Sequence, residues 1–270
     1  MRRFASIAIA LACLVHGAPV LAGAGAVAVD LELVLAVDVS RSMDVDEQRL
    51  QREGYASAFR HPEVISAITD GARGRIAVTY VEWAGSLTQW VKVAWQVIAG
   101  RADAEAFADK IAAAPLDSYM GTSISSGLRF AADLFRRSGM AGDRRAIDVS
   151  GDGPNNMGLP VDETRDWVVG QGITINGLPI MLKPSNATGP FGIPNLDVYY
   201  QDCVIGGPGA FMITVTDASL FETAIRRKLV LEIAGLPARV IRAADTAKAP
   251  RIDCQIGEKT RIYRPFPLDR

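Results

Sequence analysis

The chain has 270 residues, 49% of them apolar and 22% charged, with 29 basic against 30 acidic side chains. This fits one large domain or two small ones with a sizeable core, and it excludes an unfolded chain. The near balance of charge, without a block of Lys or Arg, excludes an electrostatic nucleic-acid binder. Two histidines, His16 and His61, exclude a zinc site built on several imidazoles.

Met1-Arg2-Arg3, the apolar run from Phe4 to Leu14, and Pro19-Val20-Leu21-Ala22 form the three parts of a secretory signal. Export with removal of residues 1–22 is therefore expected. His16, Gly17 and Pro19 interrupt the run, which leaves it short of the ~20 apolar residues that span a bilayer, so no integral span is expected afterwards. Removal leaves 27 basic against 30 acidic residues and two cysteines, Cys203 and Cys254. An even pair in an exported chain reads as a disulfide, worth about 4 kcal/mol in chain-entropy terms. Asn186-Ala187-Thr188 matches a glycosylation acceptor, whose meaning depends on the host.

Leu31 to Val37 is a near-continuous apolar run and suits a strand covered on both faces. Asp46 to Arg60 follows as an amphipathic helix that puts Leu50, Tyr55 and Phe59 on its apolar side, with His61 at its end. Arg75 to Trp83 and Leu87 to Val97 are separated by Ala84-Gly85-Ser86 alone, which demands an antiparallel hairpin. Helices are expected over Asp103 to Ala113, from Ile124 to near Gly139, and over Asp162 to Gly170. Arg145 to Ser150, Ile173 to Leu182 and Ala210 to Val215 read as strands. Ser219-x-x-Glu222 reads as a capping box opening a last helix through Phe221, Ile225 and Leu229.

Alternating strands and helices with one hairpin specify an α/β fold: three layers around a doubly wound sheet, mostly parallel with one antiparallel edge strand. The Gly/Pro-rich segment 183–209 is long for a connection, and connections of that length are often functional. Tyr199 and Tyr200 within it are either contact residues or packing beside the disulfide. The tail beyond about Val240 reads as irregular.

Directly after the central strand, Asp38-Val39-Ser40-Arg41-Ser42 places a carboxylate and two hydroxyls at alternate positions on one tight loop. Gly121-Thr122-Ser123 precedes a helix, and Ser150-Gly151-Asp152-Gly153 ends the fourth strand, which puts three loops on one sheet edge. Oxygen donors with few charges describe a site for a hard cation such as Mg²⁺ or Mn²⁺. Asp148 interrupts the apolar fourth strand, where a buried carboxylate needs a partner, or else stands in for Asp152 as the ligand. Asn155-Asn156 reads as a turn or as support for the site.

This combination resembles the von Willebrand factor type A domain with its metal-ion-dependent adhesion site, over roughly residues 29–238, leaving 239–270 as a tail stapled by the disulfide. By that resemblance Ser40, Ser42 and Thr122 bind the metal directly, while Asp38 and Asp152 act through water. The resemblance implies an exported, non-enzymatic module that recognises a protein partner through an acidic side chain completing the metal shell. Its similarity to exported bacterial proteins favours the periplasm over full secretion. Two other readings are a Mg²⁺-dependent hydrolase using Asp38 or Asp152, and a scaffold that binds through the 184–209 loop.

Overall fold

A computed structural model of the protein describes residues 25–182, 192–235 and 250–263. Strand β1 (Val27–Asp38) is apolar along most of its length because both its faces are covered. Leu31, Leu33, Leu35 and Val37 enter one core cluster, while Val34 and Ala36 enter the other, as the two-residue period of a strand requires. Helices α1 (Val45–Arg60) and α2 (Pro62–Thr69) follow. Next come the hairpin strands β2 (Ile76–Trp83) and β3 (Gln89–Ile98), then α3 (Arg101–Ala113) and α4 (Ile124–Phe135). Strand β4 (Met140–Gly151), α5 (Val161–Val169) and β5 (Thr174–Pro179) complete the sheet. The short helix α6 (Leu196–Tyr199) runs into a π-turn (Tyr200–Val204), and α7 (Phe221–Ala234) and α8 (Ile256–Tyr263) close the described chain.

The strand order is β3-β2-β1-β4-β5, parallel throughout except for the antiparallel β2–β3 pair. The expected α/β sheet with one antiparallel edge strand is what the chain forms. One core cluster lies under α1, α2, α3 and α7; the other lies under α4, α5, α6 and the segment around Cys254.

Several boundaries differ from expectation. Helix α4 ends at Phe135, because the chain must turn back into β4 through Gly139 at φ 72°. Helix α2 escapes the periodicity reading because His61 serves both helices. It follows α1 as its C-cap, and its imidazole Nδ1 accepts the Glu63 amide at 3.2 Å in front of Pro62. Ser219 does not cap α7: Asp217 accepts the Ser219 amide at 2.8 Å and leads a single 3₁₀ turn, Ala218–Leu220, into Phe221. Ala210 to Val215 forms isolated parallel bridges, to β5 at Gly177–Met212 and just beyond it at Ile180–Val215, not a regular strand. The tail is helical over α8, and the expected Cys203–Cys254 bond anchors it, with an S–S distance of 2.03 Å. The signal segment, Asn186, the expected domain end near 238 and residues 236–249 lie outside the described residues. Among the described residues no helix is long and apolar enough to cross a membrane.

Asp148 has the partner its burial requires. Lys228 of α7 reaches its Oδ1 at 2.6 Å and Glu232 Oε1 at 2.5 Å, and all three side chains are buried. Asn176 donates to the same Glu232 oxygen at 2.9 Å, and Tyr55 Oη stands 3.4 Å from Asp148 Oδ2. Burial, followed by the Asp148 charge, lifts the Glu232 carboxyl to about 7 despite the Lys228 ammonium beside it.

Candidate metal centre

The loop after β1 is pinned at both ends. Val39 N donates to Trp83 O at 2.9 Å and so continues the β1–β2 pairing for one more residue. At the far end Asp44 caps α1, accepting the Asp46 and Glu47 amides at 2.9 and 2.8 Å, while Glu47 accepts the Asp44 amide at 3.1 Å. Between these anchors Ser40 N donates to Asp38 Oδ1 at 2.7 Å, an Asx turn that aims the carboxylate along the loop.

Hydroxyls and carboxylates then run in series. Ser40 Oγ lies 2.9 Å from Ser42 Oγ, and Ser42 Oγ donates to Asp152 Oδ1 at 2.6 Å, which brings the β1 loop onto the β4 loop. Asp38, Ser40 and Asp152 are buried, while Ser42 is exposed at the mouth. Asp38 Oδ2 is buried with no hydrogen-bond partner. Gly151 permits this approach: a Cβ there would stand 2.9 Å from Asp38 Oδ2 and 2.9 Å from Tyr200 Oη. Burial first, and then the Asp152 charge, push the Asp38 carboxyl well above the usual carboxylate range, against the lowering effect of the bonds from Ser40.

Thr122 belongs to the third loop, which the backbone ties to the other two. Arg41 N donates to Tyr119 O at 2.8 Å, Tyr119 N to Val39 O at 3.1 Å, and Ser123 N to Ala84 O at 2.7 Å. Asn156 accepts the Thr122 amide on Oδ1 at 3.0 Å and donates its own amide to Thr122 O at 2.8 Å. Asn155 Oδ1 accepts the Ser125 amide at 3.0 Å. Both asparagines therefore support the site and do not merely form a turn. Their adjacency to Asp152 was the only sequence signal. Asp148 lies inside β4 on the Lys228 network, so of the two aspartates only Asp152 stands with the serines.

Tyr199 and Tyr200 are fully buried, which corrects the view of them as contact residues of the 184–209 segment. Leu87, Trp90, Met120 and Leu159 are exposed along the same sheet edge, with Trp90 packed on Tyr119 at a ring separation of 4.4 Å.

The donors fit a hard cation by their chemistry: two carboxylates and neutral hydroxyls, all oxygen, with one buried carboxylate oxygen lacking a hydrogen bond. Among the described residues no three His, Cys, Asp or Glu side chains gather as a metal cluster, so hydroxyls have to supply part of any shell.

Known structures share the architecture. Proximal thread matrix protein 1 (PTMP1) from the mussel byssus aligns with a TM-score of 0.55 at 14% identity, covering 78% of this chain and 49% of that one. Another structure of the same protein, described as having a zinc occupied MIDAS motif, aligns with a TM-score of 0.50 at 13% identity over 74% of this chain and 46% of that one. The pilus adhesin SpaC from Lactobacillus rhamnosus GG gives 0.56 at 12% identity, covering 76% and 30%. A von Willebrand factor type A protein from Catenulispora acidiphila gives 0.52 at 15% identity, covering 76% and 43%. This chain spans less than half the length of these proteins, and the likeness is one of fold. No curated protein matches by sequence. The family model described as "Protein of unknown function (DUF1194)" matches residues 28–237, so the chain belongs to that family, and its fold is that of a von Willebrand factor type A domain.

Proposed function

We propose that this protein is an exported, non-enzymatic binding module that recognises a protein partner through a divalent cation held by Asp38, Ser40, Ser42, Thr122 and Asp152. One observation carries the reading: Asp38 is buried beside Asp152 with an oxygen that no hydrogen bond satisfies and a carboxyl group that resists ionisation. A buried carboxylate of this kind is stabilised as an anion by a cation beside it. Mg²⁺ or Mn²⁺ suits the all-oxygen set, and the ion would supply an electrophilic centre for a partner's carboxylate. The neighbouring PTMP1 structure with a zinc-occupied MIDAS motif and the adhesin SpaC support the choice of a metal and of a binding role. The exposed Leu87, Trp90, Met120 and Leu159 beside the loops offer the apolar contact that a protein partner requires.

The test is the thermal midpoint in EDTA and across Mg²⁺ and Mn²⁺ concentrations, for the protein and for Asp152→Ala. A midpoint that rises with cation in the protein and not in the variant supports the metal site. Partner capture from envelope extracts that is indifferent to EDTA and to Asp152→Ala would sink the recognition mechanism.

A further inference from the structure

Tyr199 at the end of α6 and Tyr200 at the start of the π-turn are consecutive buried tyrosines beside the candidate metal centre, and the disulfide anchors that turn to the segment around Cys254. Tyr200 Oη and Asp38 Oδ2 flank Gly151, and both are buried without a hydrogen bond. Tyr199 Oη accepts the Asn155 amide at 3.1 Å and donates to the carbonyl of Cys254 at 3.3 Å. Cys203 is bonded to Cys254 across 51 residues. A buried polar side chain is held by whatever it bonds, and Tyr199 bonds both the Asn155 loop and the Cys254 segment.

The segment that Cys254 anchors reaches the same loops from behind. Glu258 of α8 accepts from Asn155 Nδ2 at 2.7 Å. Gly257 packs so tightly that a Cβ would stand 2.0 Å from Asn155 O, a contact that only glycine allows. Asn155 in turn holds Ser125 N in the first turn of α4, directly after Thr122, and its neighbour Asn156 holds Thr122 N. Cys203–Cys254, Tyr199, Glu258, Asn155 and the Thr122 loop therefore form one continuous series of bonds.

We propose that the disulfide-anchored turn is a bracket for the metal centre: Tyr199 and Glu258 are positioning residues that hold the Asn155–Asn156 and Thr122 loop, and Tyr200 stands across Gly151 from Asp38, where it would meet the shell of a bound cation. The proposal deepens the metal reading above and takes its cation from it, but the bracket itself is a property of the loops. Groups that orient metal ligands without touching the metal themselves change affinity about 10- to 100-fold when removed. A staple that only stabilises the fold leaves affinity where it was.

Two measurements on the intact protein, one of them made without metal, separate these cases. The first is amide hydrogen exchange in EDTA over residues 121–126 for Tyr199→Phe, Glu258→Met and the paired Cys203→Ser, Cys254→Ser variant. The second is the Mg²⁺ dissociation constant of the same proteins and of Tyr200→Phe. The bracket requires faster exchange confined to 121–126 in Tyr199→Phe and Glu258→Met, both of which keep the disulfide, and Mg²⁺ binding weakened by about 10-fold or more. Rates at 121–126 equal to those of the unaltered protein, with unaltered Mg²⁺ binding, overturn it. If the paired cysteine variant exchanges everywhere because it fails to fold, the two single variants decide. If the unaltered protein binds no Mg²⁺ while the variants still loosen 121–126, the bracket stands and the metal reading falls.

Discussion

Two groups of buried carboxylates lie along β4, and they are compensated in opposite ways. On the face under α1 and α7, Asp148 and Glu232 share the ammonium of Lys228, and Asn176 and Tyr55 add polar contacts. At the C-terminal edge Asp38 is buried against the charge of Asp152, with serine hydroxyls and amides around the pair. The first group has its cation covalently attached to the chain, which makes it architecture. In the second group Asp38 Oδ2 is buried without a hydrogen bond, which makes it a candidate for contact with a soluble cation.

The largest effect should come from removing the built-in cation. Lys228→Met strands Asp148 and Glu232 in the core, and urea denaturation should show about 3–5 kcal/mol of lost stability. A loss below 1 kcal/mol would mean that water reaches the network and that the contrast between the two groups is false. Next in size is the cation response at the edge. At a hundredfold excess over its dissociation constant, Mg²⁺ should add about 2.7 kcal/mol to the protein and nothing to Asp38→Asn. In EDTA the same substitution should raise the thermal midpoint, because it removes one of two facing charges.

The pH dependence sharpens the comparison further. Glu232 ionises in the fold only near 7, against an ordinary 4.5, so the native state holds its proton longer than the unfolded chain. Its stabilising contribution is complete below 4.5 and is lost as pH climbs toward about 7. Glu232→Gln should flatten that part of a stability profile. Asp38 is shifted in the same direction by burial and by Asp152, so protons compete with a cation there and the Mg²⁺-induced rise in midpoint should shrink as pH falls. The smallest effect belongs to the rim. Leu87 is 95% exposed, and Leu87→Ser should leave stability within about 0.5 kcal/mol while reducing partner capture.

Much of the fold and of the candidate site was legible in the sequence because each signal was local. The apolar run at β1 reported burial on two faces, the three-residue link reported the hairpin, and Asp38-Val39-Ser40-Arg41-Ser42 reported a convergent loop. The cysteine pair was legible by counting. What escaped depends on distant partners. Lys228 lies on a helix where an ammonium ordinarily meets solvent, and nothing near it announces Asp148 eighty residues earlier. Asn155 bonds to Ser125 and Glu258, contacts that no periodicity encodes. Asp217 outcompeted Ser219 as a cap because its carboxylate takes both the Ser219 amide and hydroxyl, at 2.8 Å each.

Strand β1 is paired on both sides, with Leu35 opposite Tyr80 on β2 and Asp148 on β4. Its side chains alternate between two separate cores, so a slip of one residue would exchange every occupant of one core for an occupant of the other. Asp38 is the last residue of that alternation, and a slipped molecule would turn it toward α1, away from Tyr200. Register error and loss of the site are therefore one event. If the proposed cation site binds as the test above requires, a cation titration of a purified batch would count the molecules that have folded in register, a measure of folding fidelity that spectroscopic secondary structure does not provide.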